Sequence, residues 1–287
     1  MRSHFMTSVL IIALGCVMPM VDAIGFPEMA VAQTVDPRKV EADRLFEQGI
    51  QQYQVGQFSV AIQSLQQALL IYQIIKDRRG EGATLGHFGI IYSSLGKYSK
   101  AIDYHKRHLV IAREINDREG EGRSLGNRGY AYLFLGNYSK AIEYLEQCLT
   151  ISKEINDRQG EVAALGGFGI SYYFLGKYSM AIEYYEKSLV IAREINDRRG
   201  EGRALGNLGL AHYSRGNDLK AIEYLEQVLA IAREINDRRG EGRALGNLGL
   251  ANHSLGRYPK AMNILNNIWQ LHGKLKIVMV NIEHSMV

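Results

Sequence analysis

The chain has 287 residues, 46% hydrophobic and 22% charged, which is enough to bury a sizeable core. Its formal charge of +4 comes from 34 Lys and Arg against 30 Asp and Glu with no basic block, which argues against a nucleic-acid partner. Two cysteines, Cys16 and Cys148, make no disulfide framework, and thirty glycines against four prolines ask for a positional explanation.

Residues 1–32 open with Arg2 and His4, run apolar from Phe5 to Val21 and end in small-residue sites at Ala23 and Ala32. This order predicts a secretory signal peptide cleaved after Ala32, and therefore an exported chain, periplasmic or extracellular. An uncleaved membrane anchor is the alternative, although Gly15 and Pro19 interrupt a stretch already short for a span. Residues 33–41 read as a linker.

From residue 42 to 261 one pattern dominates. Alanine recurs at Ala61, Ala101, Ala141, Ala181, Ala221 and Ala261, and glycine at Gly56, Gly96, Gly136, Gly176, Gly216 and Gly256, so the period is forty. Each unit splits at that glycine into two stretches of helical periodicity. In the first stretch Leu205 and Leu208 stand at i, i+3, and Gly209 follows, with equivalents Gly49, Gly89, Gly129, Gly169 and Gly249. Glycine in mid-helix is unfavourable unless two backbones must approach closely, and six copies in phase predict such an approach. The second stretch offers Ala221, Ile222, Leu225, Leu229 and Ile231 for burial and keeps Glu223, Glu226 and Gln227 wet. Arg238-Arg239-Gly240 is expected to make the turn into the next unit, with Asp237 capping its first helix.

These residues resemble the tetratricopeptide signature over 42–261: glycine at the eighth position, Tyr92, Tyr132 or Tyr172 at the eleventh, an aromatic such as Tyr98 or Tyr138 before the second helix, and alanine at the twentieth. The forty-residue length is similar to the kinesin light chain and to the Leu-Gly-Asn-rich modulators of G-protein signalling, and Leu125-Gly126-Asn127, Leu205-Gly206-Asn207 and Leu245-Gly246-Asn247 carry that tripeptide. Departures are local: Asp218 replaces the aromatic, and His87 and Gly167 replace the asparagine. The resemblance implies an all-α fold, a right-handed α-solenoid of stacked helix-turn-helix repeats whose first helices wall a groove. It also implies a non-catalytic scaffold for a protein or peptide partner.

The tail, 262–287, departs from the repeat. Codons allowed for Met-Asn-Ile-Leu-Asn-Asn, read two bases in, can give Glu-Tyr-Leu-Glu-Gln, and the following residues can continue as the repeat does. The tail therefore reads as a frameshifted second helix of the sixth unit, so that five full repeats and one first helix are expected. Similar arrays in exported bacterial proteins precede a caspase-like CHAT peptidase domain, which makes an orphaned recognition arm the alternative function.

Candidate chemistry is sparse. Gly200-Glu201-Gly202 and Gly206 lack the spacing and the preceding strand of a dinucleotide loop. His105 and His108 have no set of carboxylates or thiols to complete a metal site, and Cys148 takes a small-residue core position. No enzyme, cofactor or small-molecule substrate is expected. The groove is the candidate: Arg123 and Asn127, Arg203 and Asn207, and Arg243 and Asn247 are i, i+4 pairs on first helices, stacked by the forty-residue step. The resemblance implies that asparagines here hold the backbone of an extended peptide while arginines meet its acidic side chains. Tyr130, Tyr173 and Tyr213 would add apolar contact. A further route to association is self-assembly through an exposed C-terminal end of the solenoid.

Overall fold

The computed structural model describes residues 36–272, with side chains in the last helix through Asn266. Residues 1–32, expected to be a signal peptide, and the end of the tail lie outside the described residues. Twelve α-helices follow one another: α1 (Pro37–Gln54), α2 (Phe58–Ile74), α3 (Arg78–Ser94), α4 (Tyr98–Glu114), α5 (Arg118–Phe134), α6 (Tyr138–Glu154), α7 (Arg158–Phe174), α8 (Tyr178–Glu194), α9 (Arg198–Ser214), α10 (Asp218–Glu234), α11 (Arg238–Ser254) and α12 (Tyr258–His272). They form six hairpins, each an odd-numbered first helix and an even-numbered second one.

The two kinds of turn are built differently. Within a hairpin, the glycine at Gly56, Gly96, Gly136, Gly176, Gly216 or Gly256 adopts φ between 69° and 78°, the left-handed region that only glycine enters without penalty. Between hairpins the left-handed residue is Lys76, Asn116, Asn156, Asn196 or Asn236 at φ 55° to 58°. The next residue is aspartate, and its carboxylate accepts a hydrogen bond from the backbone N–H three positions on, at 2.9 Å for Asp237 and Gly240. The expected cap is therefore present, but Arg238-Arg239-Gly240 is the first turn of α11 and the chain reverses at Asn236. Glycine at the third position is required because a Cβ on Gly240 would strike the Asp237 carboxylate.

Packing follows the period. The alanine opening each second helix is fully or almost fully buried, from Ala61 to Ala261, and so are Leu85, Leu125, Leu205 and Leu245 on the first helices. Each such leucine contributes on the order of 2 kcal/mol by leaving water. The mid-helix glycines admit the partner helix: a Cβ on Gly129 would lie 2.7 Å from Leu145 Cγ and 3.3 Å from the Ala141 carbonyl oxygen. First helices touch their neighbours along the whole array, α1 to α3 through α9 to α11, whereas no two second helices meet among the described residues. Elements closer on one side than the other must curve, so the first helices line the concave wall.

Both ends extend beyond the expected array. Asp36 caps α1 by accepting from the Arg38 backbone N–H at 2.9 Å, and Pro37 starts the helix, so 37–41 are helix rather than linker. At the other end α12 runs to His272, so the sixth unit has a second helix built from tail residues. Leu265 occupies the place of Leu225, and Ile264 packs with Ile222, Leu225 and Leu248. The fit is looser: a Cβ on Gly249 would lie 3.4 Å from Leu265, against 2.8 Å for Gly209 and Leu225.

An ionic chain runs along the edge where hairpins join. Arg118, the first residue of α5, donates to Glu154 at the end of α6 and to Glu121 at 2.6 Å, and Glu121 also accepts from Arg113 of α4 at 2.7 Å. The arrangement recurs around Arg198 with Glu201, Glu234 and Arg193, and in shorter form around Arg78 and Arg158. Burial opposes ionisation of Glu121, but the Arg113 and Arg118 guanidinium groups outweigh it and hold its carboxyl below the ordinary range.

Candidate functional site: the concave groove

A cleft of about 500 Å³ opens on the concave wall between the fourth and sixth hairpins. The i, i+4 spacing on α9 and α11 and the forty-residue step between them bring Arg203, Asn207, Arg243 and Asn247 into it together. The arginines are exposed and the asparagines half-buried, so the amides sit deeper than the charges. Val228, Ile231 and Ala232 of α10, with Ile235 just past its end, form an apolar floor, and Ile170 and Leu210 continue it.

Charge in the cleft is one-sided. Arg198, Arg199, Arg203 and Arg243 line it with Asp237 as the only carboxylate. Arg198 is engaged by Glu201 and Glu234, and Arg203 lies 3.6 Å from Asp197, while Arg199 and Arg243 have no ion-pair partner among the described residues. Such a surface favours an anionic occupant and offers two amides for main-chain hydrogen bonds.

A second, smaller recess of about 150 Å³ holds Asn127, Tyr130, Phe134, Ser93, Ser94 and His105. The remaining predicted residues are placed differently. Arg123 turns back to pair with Glu119, four residues earlier on α5. Tyr130 and Tyr173 act as struts between first helices: the Tyr130 hydroxyl donates to the Ala163 carbonyl at 2.7 Å, and the Tyr173 hydroxyl lies 2.9 Å from Ser214 Oγ. Tyr213 is exposed and lines neither recess. The nine predicted residues thus fall into a group of four in the large cleft, a pair in the small recess, and three elsewhere.

Sequence reasoning missed Arg199 and the interior of the third unit. Arg199 had a signal: the position after the ladder arginine varies as Arg79, Glu119, Gln159, Arg199 and Arg239, and a varying position beside a fixed one is free of the structural task. In the third unit Arg128 takes the core place of Phe88 and Phe168, stacks 4.0 Å over the Tyr144 ring and donates to its hydroxyl at 2.7 Å. His105 takes the place of Leu145, fully buried, with neither ring nitrogen hydrogen-bonded. Burial, then the neighbouring His108 and Arg128, lowers its pKa to about 3. His108 is also buried, with Nδ1 2.7 Å from Ser124 Oγ, and Cys148 is buried as expected, which pushes its thiol pKa upward. Among the described residues no group of His, Cys, Asp and Glu could hold a metal ion, and no helix is long and apolar enough to cross a membrane.

The forty-residue step, the paired helices and the concave wall match a profile of the tetratricopeptide repeat in five overlapping stretches, 42–114, 84–154, 120–194, 160–234 and 200–267. The chain belongs to the tetratricopeptide-repeat family. No curated protein matches it in sequence. Solved structures share the fold of this repeat array. A signal-transduction ATPase with a tetratricopeptide-repeat sensor from Pyrococcus horikoshii superposes with a TM-score of 0.69 at 23% identity, over 79% of this chain and 35% of that one. A Rap protein complexed with competence and sporulation factor gives 0.62 at 15% identity over 81% and 75%. The nearly identical repeats of a kinesin light chain from Podosopora anserina give 0.55 at 19% identity over 66% and 93%. At these identities the likeness is one of fold, an all-α array of stacked helical hairpins.

Proposed function

We propose that this repeat protein is a non-catalytic scaffold that holds an extended acidic peptide segment along its concave wall, outside the cytoplasm after export. One observation carries the reading: the cleft between the fourth and sixth hairpins is lined by four arginines, two of them without an ion-pair partner among the described residues, and by two amides over an apolar floor, with Asp237 the single carboxylate in its lining. Asn207 and Asn247, one repeat apart, would bond the peptide main chain, and Arg203, Arg199 and Arg243 would meet its carboxylates. A Rap protein of this fold is solved in complex with competence and sporulation factor, which supports the use of such an array to hold a partner.

The test is direct binding of fluorescent extended peptides in matched pairs, Glu-bearing and Gln-bearing, to the protein and to its Arg203→Glu, Arg243→Glu variant. Both arginines are exposed, so the fold tolerates the change. Charge-assisted hydrogen bonds contribute about 1.5–3 kcal/mol each, so the variant is expected to bind Glu-bearing peptides at least tenfold more weakly and to lose the preference over Gln. Equal binding of both peptides by both proteins overturns the reading.

A second reading rests on the tail. Its codons can encode the repeat in another frame, which supports an array that once served as the recognition arm of an exported CHAT-type peptidase. Sequencing the locus tests it: absence of further repeat in the shifted frame removes the argument.

A further inference from the structure

The six turns that join first to second helices lie on one long edge of the solenoid, opposite the edge that carries the ionic chain. Among the described residues, eleven of the eighteen exposed large hydrophobic side chains stand on this edge, between the last residue of a first helix and the third residue of the next. Leu95, Leu135 and Leu175 are 37%, 48% and 42% exposed at equivalent places. The ridge is continuous from one hairpin to the next, because Tyr98 stacks on Phe134 at 5.0 Å and Tyr138 on Phe174 at 5.6 Å.

Charge on the same turns is equally uneven. They carry eight lysine or arginine side chains, among them Lys97, Lys100, Lys140 and Lys177, against one carboxylate, Asp218. Of these cations only Lys260 has a carboxylate within ion-pair distance among the described residues, Glu226 at 3.8 Å. On the opposite edge Arg78, Arg118, Arg158 and Arg198 are all committed to glutamates.

We propose that this edge docks on an anionic lipid surface. A second copy of the chain would bring cations against cations and is disfavoured. The two recesses of the groove include none of Leu95, Leu135 or Leu175, so these leucines stand on protruding turns and not in a pocket shaped for a protein side chain. A row of leucine and aromatic side chains interleaved with lysines suits a bilayer interface, where apolar groups enter below the headgroups and flexible ammonium stems reach the phosphates. Asp218 and Arg215 interrupt the ridge at the fifth hairpin, so hairpins two to four form its centre. The proposal does not rest on peptide binding, since Leu95, Leu135 and Leu175 and the lysines beside them lie outside the groove, with which the ridge shares Phe134.

Hydrogen exchange by mass spectrometry on the full chain tests it, with vesicles of phosphatidylcholine alone or with about 30 mol % phosphatidylglycerol. Location is the readout, because the apolar N-terminal segment has its own affinity for lipid. Peptides covering 93–98, 133–138 and 173–178 are expected to gain severalfold protection with the anionic vesicles only, while 115–117, 155–157 and 195–197 stay unchanged. In a Leu95→Ser, Leu135→Ser, Leu175→Ser, Lys97→Glu, Lys177→Glu variant that protection is expected to vanish; Phe134 is left intact because it also lines the groove. If the serines unfold the chain, the two charge reversals alone are expected to remove most of the protection. The proposal is overturned by no protection, by equal protection with neutral vesicles, by protection on both edges, or by protection that survives in the variants. Protection that appears without lipid and grows with protein concentration also overturns it, in favour of self-association.

Discussion

His105 shows how much one residue can unbalance a repeated core. Its equivalents Leu65, Leu145 and Leu225 fill the space beneath a first-helix glycine with apolar atoms, whereas the imidazole is fully buried there with both nitrogens unbonded. The folded pKa is lowered to about 3 from an ordinary 6.5, so below pH 6.5 the unfolded chain takes up a proton that the folded one refuses. Stability is therefore expected to be unaffected by this group above pH 7 and to fall as pH drops from 6.5 toward 4. The groups facing it are His108, itself lowered to about 4, and the Arg128 guanidinium, both of which disfavour a second positive charge. A His105→Leu variant should gain on the order of 1–2 kcal/mol at pH 7 and retain more of its stability at pH 5, as urea titrations at the two values would show. Equal pH dependence in variant and parent would mean that the histidine is solvated by water in the adjoining recess.

At the scale of the hairpin, the connections carry more of the design than the sequence discloses. Glu121 is 7% exposed and joins Arg113 of one hairpin to Arg118 of the next, which in turn holds Glu154. Its depressed pKa means that the stabilisation is present above pH 4.5 and is lost as pH falls through the folded value. Glu121→Gln is expected to cost about 1–2 kcal/mol, measured by thermal melting. Glu119→Gln, which breaks only the exposed pair with Arg123, should cost less than about 0.5 kcal/mol. The helices and their period were legible because alanine, leucine and glycine repeat with the geometry of packed helices. At the helix starts only the capping aspartate was legible, because Arg-Arg-Gly reads as a turn until the aspartate is seen closing on the glycine N–H and the arginine on two glutamates. The candidate site was half legible for a related reason. Arginine and asparagine at i, i+4 share a helix face, but which of them remain free depends on what else is in reach: Glu119, one turn back on the same helix, takes Arg123, and Ser214 of the next first helix takes Tyr173, a contact that no spacing reveals.

For the molecule as a whole, each hairpin meets only its neighbours, so stability is a sum of unit and interface terms and no single centre holds the array together. The first fourteen residues of α9 and of α11, 198–211 and 238–251, are identical, and the helices before them, α8 and α10, present equivalent faces: Ile182, Tyr185 and Leu189 against Ile222, Leu225 and Leu229. Excision of residues 198–237 would join Asp197 directly to Arg238, restore the aspartate cap and set α8 against a first helix whose first fourteen residues match those removed. The shortened protein is expected to fold cooperatively with a melting temperature within a few degrees of the parent, and an unfolded product would disprove nearest-neighbour assembly. Loss or gain of forty residues at a time is then nearly neutral for the fold while it resets how many rungs the concave wall offers, so recombination between the near-identical gene segments would tune ligand length without inventing any new contact.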